Sequence, residues 1–148
     1  KEAYYILDAW HEERGRDDDY FASKEALDLC KELEQCGYLV TVDGKPAAYT
    51  MGESLQKGKT FVVHIEKAIS EYKGVYQFIN MAFAAVLPQS YTWINREQDL
   101  GNPGLRQAKM TYLPCGFVKK YRIYPVGAVL PVSLSTTELP TTPETVLV

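Results

Sequence analysis

A chain of 148 residues with 46% hydrophobic content can bury one core, so a single domain is expected. Sixteen Lys and Arg against nineteen Asp and Glu leave a net charge of −3, which excludes a uniformly basic nucleic-acid coat. No run reaches the ~18 apolar residues of a membrane span, and Lys1–Leu7 lacks the apolar core of a signal peptide. Cys30, Cys36 and Cys115 show no CxxC spacing, so a reducing, cytoplasmic setting is expected.

The first element is a helix over Tyr5–Arg14, ending near Gly15, with Arg16–Asp19 as a loop. Ser23 can cap a second helix whose apolar positions are Ala26, Leu29, Cys30 and Leu33, with Gly37 as its stop. Tyr38–Val42 and Ala47–Glu53 alternate around Asp43-Gly44, a dipeptide suited to a tight hairpin, and Thr60–Glu66 reads as a third strand. The period then becomes helical through Val75, Phe78, Ile79, Ala82, Phe83, Val86 and Leu87, until Pro88. A short strand follows at Tyr91–Asn95. Asn102-Pro103 starts a helix running to about Tyr112, and Phe117–Tyr124 returns as a strand. The expected fold is mixed α/β over residues 1–123. Residues 124–148, rich in Pro and Thr, read as an extended tail or linker.

Charge divides along the chain. Residues 1–54 carry 6 basic and 13 acidic side chains, and residues 55–123 carry 10 and 4. A basic half facing an anionic ligand would explain this, as would a cluster of solvated lysines.

Four places offer chemistry. At the turn Glu71–Tyr76, Gly74 permits a tight bend, and the first amides of the next helix, with Lys73 and Val75, suit a phosphate. Glycine at such a turn is also a common structural device. Asn95, Arg96, Glu97 and Asp99 follow a strand end, where α/β sheets bind ligands; an amine, a cation or a carboxylate would suit them. His64 and Glu66 stand two apart on one strand, hence on one face, and Glu66 there would serve as a base or pair with Lys67. Tyr112, at the end of the last helix, would serve as an acid or pack. His64-Ile65-Glu66 with Pro114-Cys115 resembles a zinc deaminase pattern, but Val118 stands where the second cysteine is needed, so no metal is expected.

The element order, Glu71-x-x-Gly74-x-Tyr76 and Tyr112-x-x-x-Gly116-Phe117 resemble the GNAT-type N-acyltransferase fold. More specifically, four segments are similar to the phosphatidylglycerol lysyltransferase C-terminal family. They are His64-x-Glu66-Lys67-Ala68, Tyr72–Gln77, Ile94–Gly101 and Gly104-Leu105-Arg106-x-Ala108-Lys109-x-x-Tyr112-x-Pro114. The resemblance implies a mixed, mostly antiparallel sheet with helices on both faces and a splay between the strands at Thr60–Glu66 and Tyr91–Asn95. It further implies aminoacyl or acyl transfer to an amine or hydroxyl, with no tightly bound cofactor and a donor such as aminoacyl-tRNA or acyl-CoA.

On this reading Lys73, Gly74 and Val75 bind donor phosphate. His64, Asn95, Arg96, Glu97, Asp99, Arg106 and Lys109 contact substrate, and Glu66 and Tyr112 act as base and acid. Implied partners are a preceding GNAT-like domain, tRNA and a membrane lipid. Coenzyme-A users of this fold have Arg/Gln and Gly/Ala where this chain has Glu71 and Tyr76, and a tyrosine there would crowd a pyrophosphate. The alternative is a non-catalytic half that binds a ligand or completes a tandem partner.

Overall fold

The computed structural model describes residues 1–15, 19–119 and 144–147. The chain divides into two compact units, Lys1–Ile94 and Asn95–Val148.

In the first unit α1 (Glu2–Arg14) buries Ile6, Leu7 and Trp10 along one side. α2 (Tyr20–Asp28) begins before Ser23, which sits buried inside the helix instead of capping it. Asp19 holds the cap position, but its carboxylate is spent on the Lys67 ammonium at 2.6 Å, not on helix amides. Regular helix stops at Asp28, and turns continue to Glu34, whose left-handed φ of 50° redirects the chain. Gln35 N–H closes that end on the Cys30 carbonyl at 2.8 Å. Gly37 is therefore no helix stop. It lies in β1 (Cys36–Val42), where a Cβ would come within 2.2 Å of the Thr50 carbonyl oxygen.

β1, β2 (Lys45–Leu55) and β3 (Thr60–Ala68) form the expected antiparallel meander, with Asp43 and Gly44 both left-handed in the hairpin. β4 (Trp93–Asn95) lies beside β3. Thr92 and Trp93 N–H both donate to the Lys59 carbonyl, at 2.8 and 3.2 Å, which anchors β4 at the beginning of β3. Three residues of β4 can flank only part of a nine-residue β3.

Helices cover both faces of this sheet. On one, Ile6, Leu7 and Trp10 of α1 pack with Tyr49, Met51 and Ile69. On the other, α3 (Val75–Val86) packs Val75 and Ile79 with Val40, Ala48 and Ala68, and Phe83 with Phe61 and Val63. Burying a side chain such as Phe61 or Ile79 contributes about 1.5–3 kcal/mol.

β3 contains a bulge that changes which residues share a face. Met51 pairs with Ile65, but the next β2 residue, Gly52, pairs with Val63, so His64 is the extra residue. Phe61 and Val63 before the bulge, and Ala68 after it, all belong to the α3 side. Lys67 lies on the α1 side, buried, with its ammonium 3.8 Å from the centroid of the Trp10 ring.

In the second unit Asn102 caps α4 (Pro103–Met110), its Oδ1 accepting from Leu105 N–H at 3.1 Å, as the Asn-Pro pair predicts. β5 (Gly116–Val118) pairs antiparallel with β6 (Glu144–Leu147), Gly116 opposite Val146. The expected strand Phe117–Tyr124 is thus seen as far as Val118, and residues 120–143 lie outside the described residues. A strand at Glu144–Leu147 stands within the expected tail. The architecture is mixed α/β, with antiparallel pairing through β1–β3 and between β5 and β6, consistent with a GNAT-like α+β fold.

Candidate functional site

The candidate residues fall into two groups, one in each unit. In the first unit they surround the end of β3 and the start of α3. Because of the bulge, His64 and Glu66 do not share a face. His64 Nε2 sits 2.8 Å from Glu53 Oε1, and Glu53 follows the same alternation along β2 as Met51, on the α1 side. Glu66 pairs in register with Thr50, on the α3 side with Ala48 and Ala68. The adjacent Lys67 points the other way and pairs with Asp19.

Ala48 and Ala68 face each other in register while Ile69 N–H donates to the Ala47 carbonyl at 3.0 Å. Ala68 therefore turns its own N–H and C=O away from β2. Both meet the Tyr76 phenol: Ala68 N–H donates to it at 3.2 Å, and the hydroxyl donates to the Ala68 carbonyl at 3.5 Å. Tyr76, expected to crowd a phosphate, thus folds its ring back toward the strand. Burial raises the pKa of its phenol, and the nearby Glu66 carboxylate adds to the rise. The Ala68 hydrogen bond and the Arg14 guanidinium act in the opposite direction.

Gly74 precedes α3 at φ 80°, a left-handed conformation that glycine takes without strain, and a Cβ added there would meet nothing within 4 Å. Lys73 beside it is exposed. Val75 is buried, and its amide already donates to the Tyr72 carbonyl at 3.2 Å, which closes the turn. Among the phosphate-binding candidates, Lys73 is therefore the side chain presented outward. Sequence reasoning missed Arg14, which comes from the end of α1 to the neighbourhood of Tyr76. No local pattern could flag it, because the approach joins residues 62 positions apart.

In the second unit Asn95–Gly101 is a loop bonded to itself. Asn95 and Asp99 are buried, and each accepts a backbone N–H two residues on: Glu97 to Asn95 Oδ1 at 2.8 Å, Gly101 to Asp99 Oδ1 at 2.9 Å. Arg106 grips Asp99 through both ends of its fork, Nε to Oδ2 at 2.6 Å and Nη2 to Oδ1 at 3.1 Å. This guanidinium holds the Asp99 carboxyl below the ordinary carboxylate pKa. Lys109 is buried, and its ammonium donates to three successive carbonyls, Arg96, Glu97 and Gln98, at 2.5, 3.1 and 2.7 Å. That geometry carries Glu97 at φ 53° and Leu100 at φ 51°.

Arg106, Lys109 and Asp99, expected to contact substrate, are thus engaged in building the loop. The loop's half-buried side chains are Arg96, Glu97 and Gln98, with the Arg96 guanidinium 5.7 Å from the centroid of the Tyr112 ring. Among the described residues no three His, Cys, Asp or Glu side chains gather as a metal-holding group.

The family described as phosphatidylglycerol lysyltransferase, C-terminal, matches residues 1–124. The chain belongs to this family. It is also similar to a solved structure, a conserved protein of unknown function from Bacteroides thetaiotaomicron VPI-5482, with 36% identity and a TM-score of 0.71. The match covers 77% of this chain and 41% of that one, so the chain spans about two-fifths of the length of that protein. No curated protein sequence matches. No helix among the described residues is long and apolar enough to cross a membrane.

Proposed function

We propose that this family member is an acyltransferase-type domain that moves an aminoacyl, or acyl, group from an activated carrier to an amine or hydroxyl. The observation that carries the reading is the family match over residues 1–124. The turn after β3 supports it, with the exposed Lys73 beside the left-handed Gly74 offering a cation to a donor phosphate. Glu66 is the base: an acceptor nitrogen or oxygen attacks the donor carbonyl, the acyl–oxygen bond to the carrier breaks, and the acceptor's proton passes to the Glu66 carboxylate.

Aminoacyl-tRNA is the favoured donor. A carrier with an amide-bearing arm, such as acyl-CoA, that added to the far edge of β3 as a strand would have to displace the Tyr76 phenol from Ala68. The departing carrier oxygen takes its proton from solvent. In the second unit, taken by itself, Arg96, Glu97 and Tyr112 offer a guanidinium, a carboxylate and a phenol to a polar ligand. A membrane lipid is one acceptor of suitable chemistry, and a preceding domain completes the enzyme.

The test is transfer of a labelled amino acid from charged tRNA by the full-length protein. Glu66→Gln is expected to lower the rate about 10²–10⁴-fold, and Lys73→Ala to raise KM for the charged tRNA. A specific observation favours a second reading, a non-catalytic half: Asp99, Arg106 and Lys109 are spent on the loop itself. If both variants transfer at the wild-type rate while remaining folded, that reading replaces the first.

A further inference from the structure

From Gly74 to Asn95 the chain runs 22 residues without one charged side chain, although 24% of the whole sequence is charged. The run contains α3, the only helix on its face of the sheet among the described elements of the first unit. The inner side of α3 is accounted for, since Val75, Ile79 and Phe83 are buried. The outer side is not. Phe78, Met81 and Ala85 recur there at i, i+3, i+7, with Phe78 48% and Met81 64% exposed and Ala85 exposed beside them. Gln77 and Ala84, also exposed, flank this stripe.

A helix that faces water on one side ordinarily carries Lys, Glu or Arg there. Here the most polar group on the outer side is the Gln77 amide. A contiguous apolar stripe of this kind marks a docking surface. A helix lying in a lipid interface needs cationic residues to meet the headgroups, and α3 has none. The matching family describes a C-terminal portion, and more than half of the similar Bacteroides chain lies outside the part this chain covers. Additional folded chain is therefore at hand in proteins of this kind, tethered and at high effective concentration.

We infer that the outer side of α3, centred on Phe78 and Met81, docks against an uncharged, apolar surface of the preceding portion of the longer protein. With that contact made, α3 is buried on both sides, which accounts for a helix apolar nearly all round. The inference does not depend on the transfer reading, because a non-catalytic half would dock the same way.

The test uses the full-length protein with its other cysteines replaced and Met81→Cys or Ala85→Cys introduced singly. Maleimide labelling is measured in native buffer and in denaturant. Docking predicts that both positions label about tenfold or more slower in the native monomer than in the unfolded chain. Met81→Glu, made in the same protein, is expected to split a single melting transition into two while leaving the helical circular dichroism in place. Labelling at nearly the unfolded rate would overturn the inference. So would protection that disappears on dilution with loss of a dimer, which would assign the surface to a second copy. Protection that arises only when anionic vesicles are added would assign it to a membrane and equally overturn the inference.

Discussion

Tyr76 satisfies both the amide and the carbonyl of Ala68 with a single phenol oxygen, eight residues further along the chain. The hydroxyl stands where a neighbouring strand would otherwise stand, at the end of β3 that leads into the Gly74 turn.

Removing that hydroxyl leaves two strand groups to find new partners in a half-buried place. Tyr76→Phe is expected to cost about 1–3 kcal/mol, read from urea denaturation. A change too small to resolve would mean that water satisfies Ala68 equally well.

The same contact speaks to the donor. Coenzyme A at concentrations that saturate ordinary acetyltransferases is expected to leave the Tm unchanged, whereas an aminoacyl-adenosine mimic of the tRNA end raises it. A clear upward shift with coenzyme A would reverse the donor assignment.

Lys109 organises the Asn95–Gly101 loop through its three carbonyl contacts. Lys109→Met keeps the length of the stem but leaves those oxygens unpaired, with an expected cost of about 2–3 kcal/mol. Hydrogen exchange should quicken at the Glu97 and Gly101 amides, which the loop holds on Asn95 and Asp99. Unchanged exchange at both would show that the loop keeps its shape without the ammonium.

Asp99 gives a pH signature. Its carboxyl titrates below its ordinary value in the folded protein, chiefly through the Arg106 hydrogen bonds. Its contribution is therefore complete above the unfolded value of about 4 and disappears as pH falls through the lowered folded value. Asp99→Asn should lower Tm at pH 7 and make little difference once the wild-type carboxyl is protonated. An equal penalty at both ends of that range would assign the loss to shape, not charge.

Gly37 tests close approach between strands. Gly37→Ala would push a methyl to within 2.2 Å of the Thr50 carbonyl oxygen, and a loss of about 3 kcal/mol is expected in thermal unfolding. A loss under a third of that would mean that β1 and β2 separate readily there.

Local signals made much of the fold legible. Asp43-Gly44 marked the hairpin, Asn102-Pro103 the start of α4, and the spacing from Val75 to Leu87 the third helix. Each rests on residues adjacent in the chain. The errors share a long-range cause: Asp19 is drawn to Lys67 across 48 positions, and Gly37 is required by Thr50 on another strand. At the candidate site the chemistry-bearing residues could be named but not their employment. Arg106 and Lys109 look like ligand-binding cations in sequence, and only their distances to Asp99 and to the 96–98 carbonyls show where their protons go. The expectation that His64 and Glu66 share a face failed because alternation cannot report a bulge.

That extra residue makes β3 two half-strands spliced out of phase. Deleting His64 would restore unbroken pleating and leave Phe61, Val63, Glu66 and Ala68 on the α3 layer, with Val62, Ile65 and Lys67 on the other. The insertion is thus silent to both helix layers: a homologue one residue shorter there could keep every inward and outward position and would give up only the His64 contact with Glu53.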